Sequence, residues 1–72
     1  MEVRHRMSGI FYDPKERRLR RVDGKPDAGW QLVTHNQQAG AHQCRRIMRE
    51  WLQAEEFRSI DWNLEPELRS AS

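Results

Sequence analysis

Between Gly29 and Leu52 a strand-like run, Gly29-Trp30-Gln31-Leu32-Val33-Thr34, is followed almost at once by a run with helical periodicity. Cys44, Ile47, Met48, Trp51 and Leu52 fall at i, i+3, i+4, i+7 and i+8, with Ala41 one step earlier. On a helix of about 3.6 residues per turn these six side chains make one stripe, which must be buried against something. The opposite face carries Gln43, Arg45, Arg46, Arg49, Glu50 and Gln53. The spacing predicts a helix from Ala41 to about Ala54 or Glu56. The rest of the chain must supply its cover.

Thr34-His35-Asn36-Gln37 fits a capping box, with Asn36 as an alternative N-cap, and Gly40 weakens the first turn so that the helix starts near Ala41. Upstream, Gly9-Ile10-Phe11-Tyr12 reads as a strand running into a turn at Asp13-Pro14. Residues 14–22 admit two readings. As a helix capped by Asp13 they offer only Leu19 and Val22 as an apolar face, very little to bury. As a hairpin loop and strand they put Leu19 and Val22 on opposite faces unless a bulge intervenes. The hairpin is the better reading, though the sequence leaves the choice open. Asp23-Gly24-Lys25-Pro26-Asp27 then turns the chain into Gly29 to Thr34. Ile60-Asp61-Trp62-Asn63-Leu64 alternates strictly and reads as a last strand, stopped by Pro66.

The expected fold is α+β: a small antiparallel sheet of three to four strands in the order β-β-β-α-β, with one amphipathic helix packed on one face. A sequential meander follows from that order. Trp30 and Leu32, with Ile10, Tyr12 and Leu19, are the expected partners of the helix, and Trp62 packs from the last strand. Seventy-two residues make a single domain, 1–72, with an ordered core over about 9–65, an arm at 1–7 and a frayed tail at 67–72. Met7 is an alternative start to Met1. A chain this short buries only roughly 60% of its unfolded surface. With 36% hydrophobic residues and a mean hydropathy of −1.06, it is close to the limit of stability, and homodimerisation is one expected remedy.

A single cysteine excludes an intramolecular disulfide. No apolar run approaches the roughly 20 residues of a membrane span, and no signal-peptide core follows Arg4 and Arg6, so a cytoplasmic protein without membrane contact is expected. His5, His35, His42 and Cys44 do not make a metal site: on a helix His42 and Cys44 lie about 200° apart. Cys44 sits in the apolar stripe, away from the cationic setting a reactive thiolate needs. Glu50, Glu55, Glu56, Asp61, Glu65 and Glu67 are spread over a helix end and a tail rather than paired. No catalytic residue, metal or cofactor is expected.

Charge is the feature above background. Residues 1–25 hold eight Lys/Arg against four Asp/Glu, while residues 26–72 hold five against seven. Lys15, Arg17, Arg18, Arg20, Arg21 and Lys25 fall within eleven residues, with Arg4 and Arg6 expected on the neighbouring strand. Alternation puts Arg18 and Arg20 on one face of this ribbon, and Arg17 and Arg21 on the other beside Leu19. An arginine-studded β-ribbon can meet nucleic-acid phosphates, with Phe11 or Tyr12 stacking on a base and Arg45, Arg46 and Arg49 in reserve on the helix. The expected function is therefore that of a small non-enzymatic regulatory protein bound to nucleic acid. The alternative is a protein–protein adaptor or inhibitor module, of the kind mobile elements encode, anchored by Trp51 or Trp62 where exposed. The plainest reading of the ribbon is a charged edge that discourages aggregation.

Overall fold

The computed structural model describes residues 7–64, so the expected arm (Met7 apart) and the tail at 67–72 lie outside the described residues. Three strands, β1 (Met7–Asp13), β2 (Arg18–Gly24) and β3 (Gln31–Thr34), form an antiparallel sheet. Two helices follow, α1 (Ala41–Met48) and α2 (Ala54–Arg58). The fold is α+β, with two short helices in place of one among the described residues.

Residues 14–22 are loop and strand. β1 and β2 pair without interruption from Met7↔Gly24 to Asp13↔Arg18. Asp13 caps no helix. Its Oδ1 accepts the N–H groups of Lys15 and Glu16, each at 3.1 Å. Arg17, at φ 57, supplies the left-handed residue that closes the loop, and its N–H returns to the Asp13 carbonyl at 2.7 Å.

Across the sheet the order is β2-β1-β3, not the expected meander. β3 pairs with the free edge of β1, Tyr12 opposite Gln31, so residues 25–30 must carry the chain from the Met7 end of β1 to its Asp13 end. The reason lies in composition. β1 is the most apolar strand, and at the centre both its edges are hydrogen-bonded while Ile10, Phe11 and Tyr12 are all buried. Gly9 permits the close approach, since a Cβ there would lie 2.2 Å from the Thr34 carbonyl oxygen.

On the helix side, Ile10, Tyr12, Leu19 and Val33 pack with Ala39, Cys44, Met48 and Ile60. Trp30 and Leu32, expected there, belong to the other side. The register sets Leu32 opposite Phe11, and cross-strand partners share a face. Trp30 lies over Arg20, itself the partner of Phe11 on β2. Phe11 and Val22 are buried outside the main cluster. Leu19 and Val22 therefore occupy opposite faces without a bulge, because both faces bury apolar side chains.

The helix predicted to reach Ala54 or Glu56 stops at Met48. Eight residues span about 12 Å. Residues 49–53 turn instead, and α2 returns Phe57 and Ile60 to the core. Trp51 is thereby left 41% exposed rather than buried on the stripe. The N-cap of α1 is Gly40, with no side-chain hydrogen bond. The expected capping box is instead two turns, in which Thr34 Oγ1 accepts from Asn36 N–H and Asn36 Oδ1 accepts from Gln38 N–H. The expected last strand is one parallel bridge, Arg18↔Asp61, because the segment reaches β2 only at its first residue. Its alternation nevertheless holds the face: Ile60 is buried, and Trp62 and Leu64 pack against the core.

Candidate interaction surface

The β1–β2 ribbon uses several of its cations to hold itself together. Arg20 donates from Nε and Nη2 to Asp13 Oδ2 at 3.1 and 2.9 Å. Asp13 is the one buried charged side chain among the described residues, at 3% exposure. Burial alone would raise its pKa, but the Arg20 bond and the amides of Glu16 and Lys15 outweigh that and hold the carboxyl below its ordinary range. Arg21 donates to the carbonyls of Gln37 and Ala39, while Gln37 Nε2 donates to the Val22 carbonyl at 2.8 Å. These bonds lash the loop before α1 to β2. Arg17 donates to Ser59 Oγ at 2.6 Å, tying the hairpin tip to the end of α2.

The remaining ribbon cations do not converge. Lys15 and Lys25 are exposed, but the register puts them at opposite ends of the hairpin. Arg18 is half-buried, and its Nε is buried without a partner. Exposed Glu16, Asp23 and Asp27 interleave with these cations, so the hairpin surface is mixed in sign.

A different grouping forms where α1, the turn and α2 meet. Arg45 and Arg49 are four apart and project from one side of α1 and its C-cap. Their guanidinium carbons lie 5.4 and 5.3 Å from the centre of the same ring, Phe57. Arg45 also lies 5.2 Å from the Trp62 ring, whose centroid is 5.0 Å from that of Phe57. Two rings thus carry two guanidinium groups, each within cation–π range. Both arginines stand at the helix end where the peptide dipoles favour positive charge. Arg45, Arg49, Leu52, Ala54, Phe57 and Arg58 line a groove of about 380 Å³. No carboxylate among the described residues pairs with these three arginines. Exposed Trp51 follows in the same turn, and Arg46 is exposed on the outer side of α1.

Arg58, Phe57 and the stacking role of Trp62 were not legible as parts of a site. Their signal, an i, i+4 arginine pair followed by aromatics, becomes readable only when the chain turns at 49–53.

The core beneath the groove is pinned by Tyr12, whose hydroxyl donates to Glu56 Oε2 at 2.6 Å. Burial, then the Glu56 carboxylate, pushes the phenol pKa above its ordinary value. Cys44 is fully buried, and burial pushes its thiol up despite an opposing pull from Arg21. Among the described residues no three His, Cys, Asp or Glu side chains gather as metal ligands, and no helix is long and apolar enough to cross a membrane. No protein-family model matches the chain, and no match is found among curated proteins or solved structures.

Proposed function

We propose that the protein is a small non-enzymatic binding module that docks onto another protein through the α1–α2 corner. The observation that carries this reading is Trp51, left 41% exposed and next in sequence to Leu52, which lines a groove with Arg45, Arg49 and Phe57. Tryptophan and arginine dominate the energetics of protein interfaces because they bury much area and still offer directed polar contacts. A surface on which exposed acids and bases alternate suits a specific protein partner better than a uniform run of phosphates. An adaptor or inhibitor acts by occupying such a surface.

The test is affinity capture from a lysate with and without nuclease, using wild type and Trp51→Ala. A nuclease-resistant complex lost in the variant supports the reading. Loss of every partner on nuclease treatment overturns it. Light scattering on the purified chain separates a foreign partner from a second copy.

A second reading, contact with nucleic-acid phosphates, is favoured by the arginines of the groove that meet no carboxylate, together with exposed Lys15, Lys25 and Arg46. Binding of that kind weakens steeply with salt as counterions are released, and Arg45→Ala with Arg49→Ala would lower the salt slope by roughly one to two. Absence of retention on DNA or RNA at low salt removes it.

A further inference from the structure

We infer that the groove between α1 and α2 takes an acidic peptide segment of its partner, one that places an apolar side chain on the Leu52–Phe57 floor and carboxylates against Arg45, Arg49 and Arg58. The inference rests on the protein-binding reading and names the chemistry of the partner.

Charge complementarity selects the occupant. Arg45, Arg49 and Arg58 line the groove together with apolar Leu52, Ala54 and Phe57, and no carboxylate among the described residues neutralises the three arginines. Stacking on Phe57 and Trp62 restricts Arg45 and Arg49 before any ligand arrives, so less side-chain freedom is lost on binding. A guanidinium held by a ring keeps its N–H donors for a carboxylate, and the planar fork matches two carboxylate oxygens. At about 380 Å³ the groove falls in the range of roughly 300–1,000 Å³ that accommodates a compact ligand. An anion alone would leave the floor uncovered, and an apolar ligand alone would strand the arginines.

Two neighbours argue against a phosphate chain in the same place. Glu50 and Glu55 are exposed on the turn and the first turn of α2. A continuous polyanion passing over the groove meets these charges, whereas a peptide can set its acids only where arginines stand.

The experiment titrates the full chain against fluorescein-labelled acidic peptides that carry Leu, Phe or Trp at one position, with an all-acidic peptide and a single-stranded oligonucleotide as separate arms. The expected result is saturable binding of at least one anchored peptide, tighter than the all-acidic one. Arg45→Gln with Arg49→Gln should weaken it about tenfold or more, while Lys15→Gln with Lys25→Gln leaves it unchanged. Folding of each variant is checked by circular dichroism, and Arg45→Lys with Arg49→Lys keeps the charge should the glutamines unfold the chain. That lysine pair should recover only part of the affinity, since the fork is lost. Equal binding by wild type and by a folded Arg45→Gln with Arg49→Gln variant overturns the inference, as does an oligonucleotide that outcompetes every peptide. Should no peptide bind while the nuclease-resistant complex survives Arg45→Gln with Arg49→Gln, the groove is not the site and the protein-binding reading still stands.

Discussion

At the β1–β2 hairpin a guanidinium that lies over a ring also meets a carboxylate; at the α1–α2 corner the guanidinium groups lie over rings and meet none among the described residues. Arg20 gives two donors to Asp13, which is 3% exposed, and Arg21 spends its fork on loop carbonyls. Arg45 and Arg49 lie over Phe57 and Trp62 and meet no carboxylate among the described residues. The same side chain is structural in one region and available in the other. A guanidinium paired with a buried acid forms a unit of no net charge, whereas one resting on a ring keeps an uncompensated charge and most of its donors. Under the proposed binding role the helices offer the free charge, and the hairpin supplies the scaffold that sets them.

Gly9→Ala is the severest way to break the scaffold side of this contrast. The new Cβ would lie 2.2 Å from the Thr34 carbonyl oxygen at a φ of 153°, and neither backbone can move without parting β1 from β3. The expected cost is roughly 3 kcal/mol or more, most of the stability of so small a domain. Urea unfolding followed by circular dichroism would show it, and a variant as stable as wild type would mean that β3 is not held at this point.

Periodicity made part of this fold readable. Ile10, Tyr12 and Leu19 sit where alternation places them, and Cys44 and Met48 face inward as the helical stripe requires. The strand order was not readable, because pairing depends on which edge of β1 the chain returns to, and residues 25–30 carry no signal of a crossover. Leu32 and Val33 took the opposite faces from those expected, because alternation fixes which residues share a face but not which face meets the helices. The corner was hidden for a related reason. The apolar stripe runs on through Trp51 and Leu52 in sequence, but the chain turns at 49–53, and no sequence signal marks that turn. Of the residues proposed for phosphate contact, charge alone could not separate Arg20 from Arg45, since the buried partner of one and the rings beneath the other lie far away in sequence.

Asp13→Ala attacks the hairpin's charge arrangement directly. The change frees the amides of Lys15 and Glu16 and leaves Arg20 without its acid, for an expected loss of about 2 kcal/mol, a moderate figure because Arg20 is itself 33% exposed. The effect carries a pH signature. The folded-state pKa of Asp13 lies below its ordinary value, since Arg20 and the two amides outweigh burial. Its stabilisation is therefore complete above the unfolded pKa of about 3.9 and is lost as the pH falls through the folded value. Wild type should lose more stability than Asp13→Ala on acidification below about pH 4. Parallel urea midpoints across that window would show that the carboxylate does not bear on folding.

Arg45→Gln gives the smallest expected effect on folding and the sharpest comparison. Arg45 is half-buried and its guanidinium lies over two rings, an arrangement worth about 0.5–1 kcal/mol at exposed sites. Arg20→Gln should cost more, since it strands Asp13 in a buried position with only the Lys15 and Glu16 amides to satisfy it. Thermal melts of the two variants side by side measure the difference between a guanidinium that holds the fold and one that the fold holds out. If Arg45→Gln proves as damaging as Arg20→Gln, the rings and the arginine form one structural unit. A partner could then recruit that arginine only by unmaking part of the core, and the corner would no longer be a free surface.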